Sequence, residues 1–202
     1  MTNYLNSAEE EDVKLLSTKT YDILNSNNTE LYNLISNFNG DDVEIFQAKD
    51  NNKTARINGK MIHSMYRPVE EAEKTIEKYA LSGKNIVLFL GVGLGYTVKA
   101  VLSKIKPETK IYIVEEKLSL IKEMLNIPEI NSAYESKSIY IYHTSQNKLF
   151  MYDVEKNFRL GIVPEYEIII NNICYENNKT KYHEFLETFR DLISNNLVGT
   201  ST

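Results

Sequence analysis

Three glycines at alternate positions, Gly91, Gly93 and Gly95, followed by Tyr96, form the segment best suited to chemistry. Alternate glycines let a chain turn tightly and bring backbone N–H groups close to a bound group. Glu115 and Glu116 stand about twenty residues past the last glycine, where an acidic side chain in dinucleotide sites accepts hydrogen bonds from ribose hydroxyls. Glu115 is the better placed because it directly follows the apolar run Ile111–Val114. The other reading of the acidic pair is a solvated start to a helix, favoured there by the helix dipole. Gly91, Gly93, Gly95, Tyr96 and Glu115 are therefore the candidate cofactor-binding residues. The spacing is G-x-G-x-G, with Tyr96 where the dinucleotide fingerprint has its third glycine. That pattern suits an S-adenosylmethionine-type or nucleotide-sugar ligand, such as a CMP-sugar, better than NAD. A tight turn that binds nothing is the competing reading.

Other reactive side chains offer less. His63 lies beside Ser64 and Tyr66, but adjacent side chains seldom point at each other and no G-x-S-x-G elbow is present. This link is expected to supply hydrogen bonds that fix a hairpin against the next helix. His143 and His183 lack metal-ligand spacing, so no metal is expected. Cys174, the only cysteine, reads as a buried apolar residue. A working methyltransferase would carry an acidic residue after its third strand and a polar motif after its fourth. Here those strands end in Tyr142-His143-Thr144 and Asn171-Asn172. No catalytic residue is assigned.

The elements that must position these residues follow from hydrophobic period. Ile86–Leu90 is a continuous apolar run, read as a strand buried on both faces. It leads through the glycines into a helix over 96–105 and a strand over 111–114. A helix over 117–125 stops before Pro128. Strands over 138–143 and 167–170 complete a core, with a helix near 146–156 between them and a short strand expected over 159–163. The last helix, 179–196, carries Tyr182, Phe185, Leu186, Phe189, Leu192 and Ile193 along one face. Upstream, a capping box at Ser7–Glu10 opens a helix to about Asn25, and a second helix spans 29–38. From Val43 the period becomes two, and Asn58-Gly59 signals a type I′ hairpin turn. Pro68 begins a helix whose apolar spacing runs to Ala80, closed by Ser82-Gly83. The expected fold is α/β: a Rossmann-like, mostly parallel sheet with helices on both faces, with 86–90 central. An N-terminal helical and β-hairpin segment (1–68) precedes the Rossmann-like domain (69–202).

Bulk composition narrows the partners. The net charge of −5 and arginines only at 56, 67, 159 and 190 argue against nucleic acid. One cysteine excludes a disulfide framework within the chain. The first dozen residues are polar and acidic rather than signal-like, and the longest uncharged stretch is too short and glycine-rich to span a bilayer. A cytoplasmic protein is expected.

A longer pattern joins these parts: Ile57-Asn58-Gly59-Lys60, then His63-Ser64-x-Tyr66-x-Pro68-x-x-Glu71-Ala72-Glu73, then the strand into Gly91–Tyr96, then Ile113-Val114-Glu115. It resembles the N-terminal Rossmann-like domain of the motility accessory factor (Maf) proteins, over roughly 43–196. That family is linked to glycosylation of flagellin with nonulosonic acids such as pseudaminic or legionaminic acid. Its members are longer and continue into a central domain where transfer is thought to occur. The resemblance implies a glycosyltransferase-associated accessory domain, not catalytic by itself. It would bind a nucleotide-type ligand or a partner, either a downstream transferase domain or flagellin. The alternatives are an S-adenosylmethionine-dependent methyltransferase-like protein and a pure interaction module with a vacant turn.

Overall fold

The computed structural model describes residues 16–157 and 164–198. Helices α1 (Thr18–Asn27) and α2 (Thr29–Ser36) precede strands β1 (Val43–Gln47), β2 (Lys53–Ile57) and β3 (Lys60–Met61). Helix α3 (Pro68–Ile76) leads to β4 (Ile86–Leu90), α4 (Tyr96–Leu102), β5 (Lys110–Glu115), α5 (Leu118–Leu125) and α6 (Pro128–Glu135). Then come β6 (Ile139–His143), α7 (Asn147–Asn157), β7 (Tyr166–Ile170), α8 (Asn172–Asn177) and α9 (Lys179–Val198).

A run of five apolar residues needs apolar partners on both faces, and β4 has them. It lies between β5 and β7 in a four-stranded sheet of order β6-β5-β4-β7, parallel throughout. Val87 and Phe89 enter one core layer, shared with Val98, Ile121, Ile130 and the N-terminal Leu24 and Leu31. Ile86, Leu88 and Leu90 enter the other, against Phe150, Tyr182, Phe185 and Phe189. Each such fully buried side chain contributes about 1.5–3 kcal/mol, which makes this strand the centre of the sheet. The apolar face of α9 is thus core. Beside this sheet, β1, β2 and β3 form an antiparallel sheet in sequence order. Its β2–β3 turn places Asn58 at φ 49° and Gly59 at φ 75°, as a type I′ turn requires.

Several boundaries differ from the sequence reading. α1 begins only at Thr18, because the Ser17 hydroxyl accepts the Thr20 N–H and caps the helix there. The capping box at Ser7–Glu10 and the short strand over 159–163 lie outside the described residues. α3 stops at Ile76, and Lys78 and Tyr79 donate to Thr75 and Ile76 in tight turns. α5 ends at Leu125, before Pro128 as expected, but Pro128 then opens the further helix α6, in whose first turn its missing N–H is harmless.

Edge strand β6 is closed by side chains. Asn28, itself buried, donates through Nδ2 to the Ile141 carbonyl at 3.1 Å, while its Oδ1 accepts the Leu31 N–H and caps α2. Gln146 accepts the His143 N–H and donates to Asn28 Oδ1. These amides satisfy backbone groups that an edge would otherwise leave open. Asn28→Ala removes a cap and orphans a buried carbonyl together. Urea unfolding is expected to show a loss of about 2 kcal/mol, and a loss under about 0.5 kcal/mol would contradict this role.

Candidate functional site

The glycine turn joins β4 to α4 at the carboxyl end of the sheet. In nucleotide-binding folds its N–H groups are kept for a ligand. Here four of the five from Gly91 to Gly95, all but that of Gly93, have a hydrogen-bond acceptor within the chain. Gly91 N donates to the Val114 carbonyl at 2.9 Å, and Gly95 N to the Val92 carbonyl at 3.2 Å. Val92 N donates to Glu115 Oε2 at 2.9 Å, and Leu94 N to His63 Nε2 at 2.8 Å. Gly93 N faces the Cys174 sulfur.

The space above the turn is filled in the same way. Gly93 has φ +56°, and a Cβ there would lie 2.7 Å from Ile62 Cγ2 and 2.8 Å from His63 Cε1. Any side chain at Gly93 would therefore displace the His63 ring. Cys174 packs equally close over Gly91, and Met124 over Gly95.

Glu115 is completely buried. Its Oε1 accepts the N–H groups of Glu116 at 2.8 Å and Lys117 at 3.0 Å, and the Tyr182 hydroxyl at 3.0 Å. Together with the Val92 N–H, four donors converge on one carboxyl group. Burial raises its pKa above the ordinary value, while the four hydrogen bonds pull it back. Burial and the Glu115 carboxyl beside it hold the Cys174 thiol protonated. Glu116 turns away and accepts from Asn178 Nδ2 through Oε1.

Tyr96 points out of the turn. Its hydroxyl donates to the Lys53 carbonyl on β2 at 2.9 Å, and its ring meets the His63 ring edge-on. Burial pushes this phenol up to about 12. The antiparallel sheet is tied over the turn by further links: Lys53 to Glu123 at 2.8 Å, Lys117 to Asp42 at 2.6 Å, and Ser119 Oγ to Asp41 at 2.7 Å. Ala55, Ile57 and Ile62 pack there against Leu94, Leu120 and Cys174. The structure thus brings Gly91, Gly93, Gly95 and Glu115 together, and places Tyr96 as a tie to the sheet above them.

Sequence reading missed two participants. His63 reaches a loop 31 residues away, and no local spacing signals that. Asn171 accepts from the N–H groups of Ile173 and Cys174 and starts α8, a cap legible only as an Asn after an apolar strand. The remaining histidines stand apart: His143 Nδ1 bonds Ser145, and His183 lies on α9 beside Glu187. Among the described residues no group of three His, Cys, Asp or Glu side chains could hold a metal ion. No helix among them is long and apolar enough to cross a membrane.

Fold and site together define a Rossmann-like α/β domain with an internally occupied glycine turn. A solved structure with the same fold is the Maf glycosyltransferase from Magnetospirillum magneticum AMB-1, at a TM-score of 0.64 and 12% identity. The match covers 90% of this chain and 35% of that one, so this chain spans about a third of the length of the protein it matches. No family profile matches the chain, and no curated protein does.

His63 carries a pH signature. Burial lowers its pKa from 6.5 to about 4. Between those values the unfolded chain takes up a proton that the folded chain refuses, so this stabilisation is complete above pH 6.5 and is lost toward pH 4. Glu115 acts in the opposite sense, since its raised pKa costs stability as pH rises above 4.5. Comparison of the wild type with His63→Gln isolates the histidine. The difference in unfolding free energy is expected to shrink by about 3 kcal/mol from neutral pH to the lower limit. A constant difference would show that His63 is not held neutral in the turn.

Proposed function

We propose that this chain is a non-catalytic Rossmann-like accessory domain of a Maf-type glycosyltransferase system, in which the glycine turn serves as a structural joint. The observation that carries this reading is the occupancy of the turn: the N–H groups of Gly91, Val92, Leu94 and Gly95 have acceptors inside the chain, and His63 fills the space over Gly93. In this reading Gly91, Gly93, Gly95 and Tyr96 seat the antiparallel sheet, and Glu115 positions the turn instead of holding a ribose. The fold likeness over 90% of the chain to part of a Maf glycosyltransferase supports the family assignment. The partners it names are a transferase domain and a flagellin-type acceptor in the cytoplasm.

A nucleotide-type ligand at this mouth would have to displace His63 or the Glu115 network, and breaking one buried donor–acceptor pair costs about 1–3 kcal/mol. Titration calorimetry with S-adenosylmethionine, S-adenosylhomocysteine, CMP and CMP-linked sugars is therefore expected to show no heat of binding at millimolar concentration. The isolated chain is likewise expected to transfer neither methyl nor glycosyl groups. Saturable binding of any of the four that Gly93→Val abolishes in a folded variant would sink this reading. Methyl transfer from labelled cofactor, lost in the same variant, would establish the methyltransferase instead.

A further inference from the structure

With the mouth between β4 and β5 filled, the open crevice lies on the other side of β4. The strand order reverses between β4 and β7, and open parallel sheets place their ligand crevice outside the carboxyl ends at such a reversal. A cavity of about 190 Å³ occupies this position, floored by Phe89 and Ile169 at the ends of the two strands. Its polar lining comes from His63, Glu71, Thr75, Thr97, Asn171 and Asn172.

The hydrogen-bonding capacity of that lining can be read group by group. His63 Nε2 accepts the Leu94 N–H, so the neutral ring carries its proton on Nδ1, a donor with no partner among the described residues. His63 is 5% exposed and its Nδ1 is not fully enclosed, so this donor stays open to a ligand. Asn171 Oδ1 accepts two backbone N–H groups, which leaves its Nδ2 as a donor. The Thr97 hydroxyl is unpartnered among the described residues. From α3, Glu71 Oε2 accepts the Ser64 N–H and leaves Oε1 as an acceptor, and the Thr75 hydroxyl donates to the Glu71 carbonyl and can still accept.

A lining that mixes free donors with free acceptors, with no Lys or Arg among its residues, selects the ligand. An anion would meet a carboxylate and no cation, and an apolar molecule would strand the donors. Hydroxyl groups both donate and accept. The volume is below the about 300–1,000 Å³ of pockets that take drug-sized ligands, so it suits a single small unit and not a dinucleotide. We propose that the crevice between β4 and β7 binds a small uncharged molecule carrying several hydroxyl groups, a polyol or a monosaccharide.

Amide chemical-shift titration of the full chain with glycerol, D-ribose and D-glucose tests this, with inorganic phosphate and AMP as charged comparisons. Saturable shifts confined to residues around His63, Thr97 and Asn171 are expected from at least one of the three. Saturation by a sugar assigns a ring-bearing ligand, and saturation by glycerol alone assigns an open polyol. Thr97→Val removes a hydroxyl and Glu71→Gln turns a free acceptor into a donor, each at small cost to packing, and each is expected to weaken binding roughly two- to tenfold. Unchanged melting temperatures would confirm that both variants fold. No saturation by any polyol, equal shifts from phosphate or AMP, or unaltered affinity in both folded variants would overturn the proposal.

Discussion

A strand-to-helix turn built on glycines leaves a row of backbone N–H groups pointing away from both elements, and each must find an acceptor. An unsatisfied buried donor costs about 1–3 kcal/mol, a large share of a domain's net stability. A nucleotide-binding protein meets this demand with ligand phosphates or with water. This chain meets most of it with the His63 ring, the Glu115 carboxyl and neighbouring carbonyls. Much of the architecture follows from that choice. His63 reaches Leu94 only because the hairpin sheet lies over the turn, and the sheet lies there because Ala55, Ile57 and Ile62 have an apolar seat on Leu94, Leu120 and Cys174. Glu115 tolerates complete burial only because three backbone N–H groups and Tyr182 converge on it. α9 therefore does more than cover the sheet: its Tyr182 completes the joint.

The same constraint explains why the two sides of β4 differ. On the β5 side, the glycines allow His63, Cys174 and Met124 to approach the backbone so closely that no room remains. On the β7 side, Asn171 ends the strand and turns the chain into α8, which leaves a gap bounded by α3 and α4. The crevice that stays open is the one at the reversal of strand order, with Gly91 of the turn in its lining. Likeness to part of a Maf glycosyltransferase shows the fold of this scaffold.

The parallel core was legible because its signals are local. Ile86–Leu90 and Ile111–Val114 are uninterrupted apolar runs, and Asn58-Gly59 names its own turn type. The helix boundaries were less so: Ser17 competes with the apolar pattern as a cap, and Pro128 can start a helix as well as stop one. The glycines and Glu115 were found as a constellation, but their role depends on what fills the space between them. That filler is a histidine 31 residues upstream, delivered by the packing of a separate sheet. Only the three-dimensional arrangement distinguishes a turn waiting for a ligand from one already satisfied.

The bond between Leu94 N–H and His63 Nε2 can be observed directly, because both atoms are nitrogens and a hydrogen bond between them transmits a scalar coupling. In uniformly ¹⁵N-labelled protein at neutral pH, a cross-hydrogen-bond coupling between the Leu94 amide and the His63 ring is expected, with the ring neutral and protonated on Nδ1. An uncoupled Leu94 amide that exchanges freely with water, beside a His63 ring titrating near its ordinary pKa, would show the turn to be open and contradict its internal occupancy.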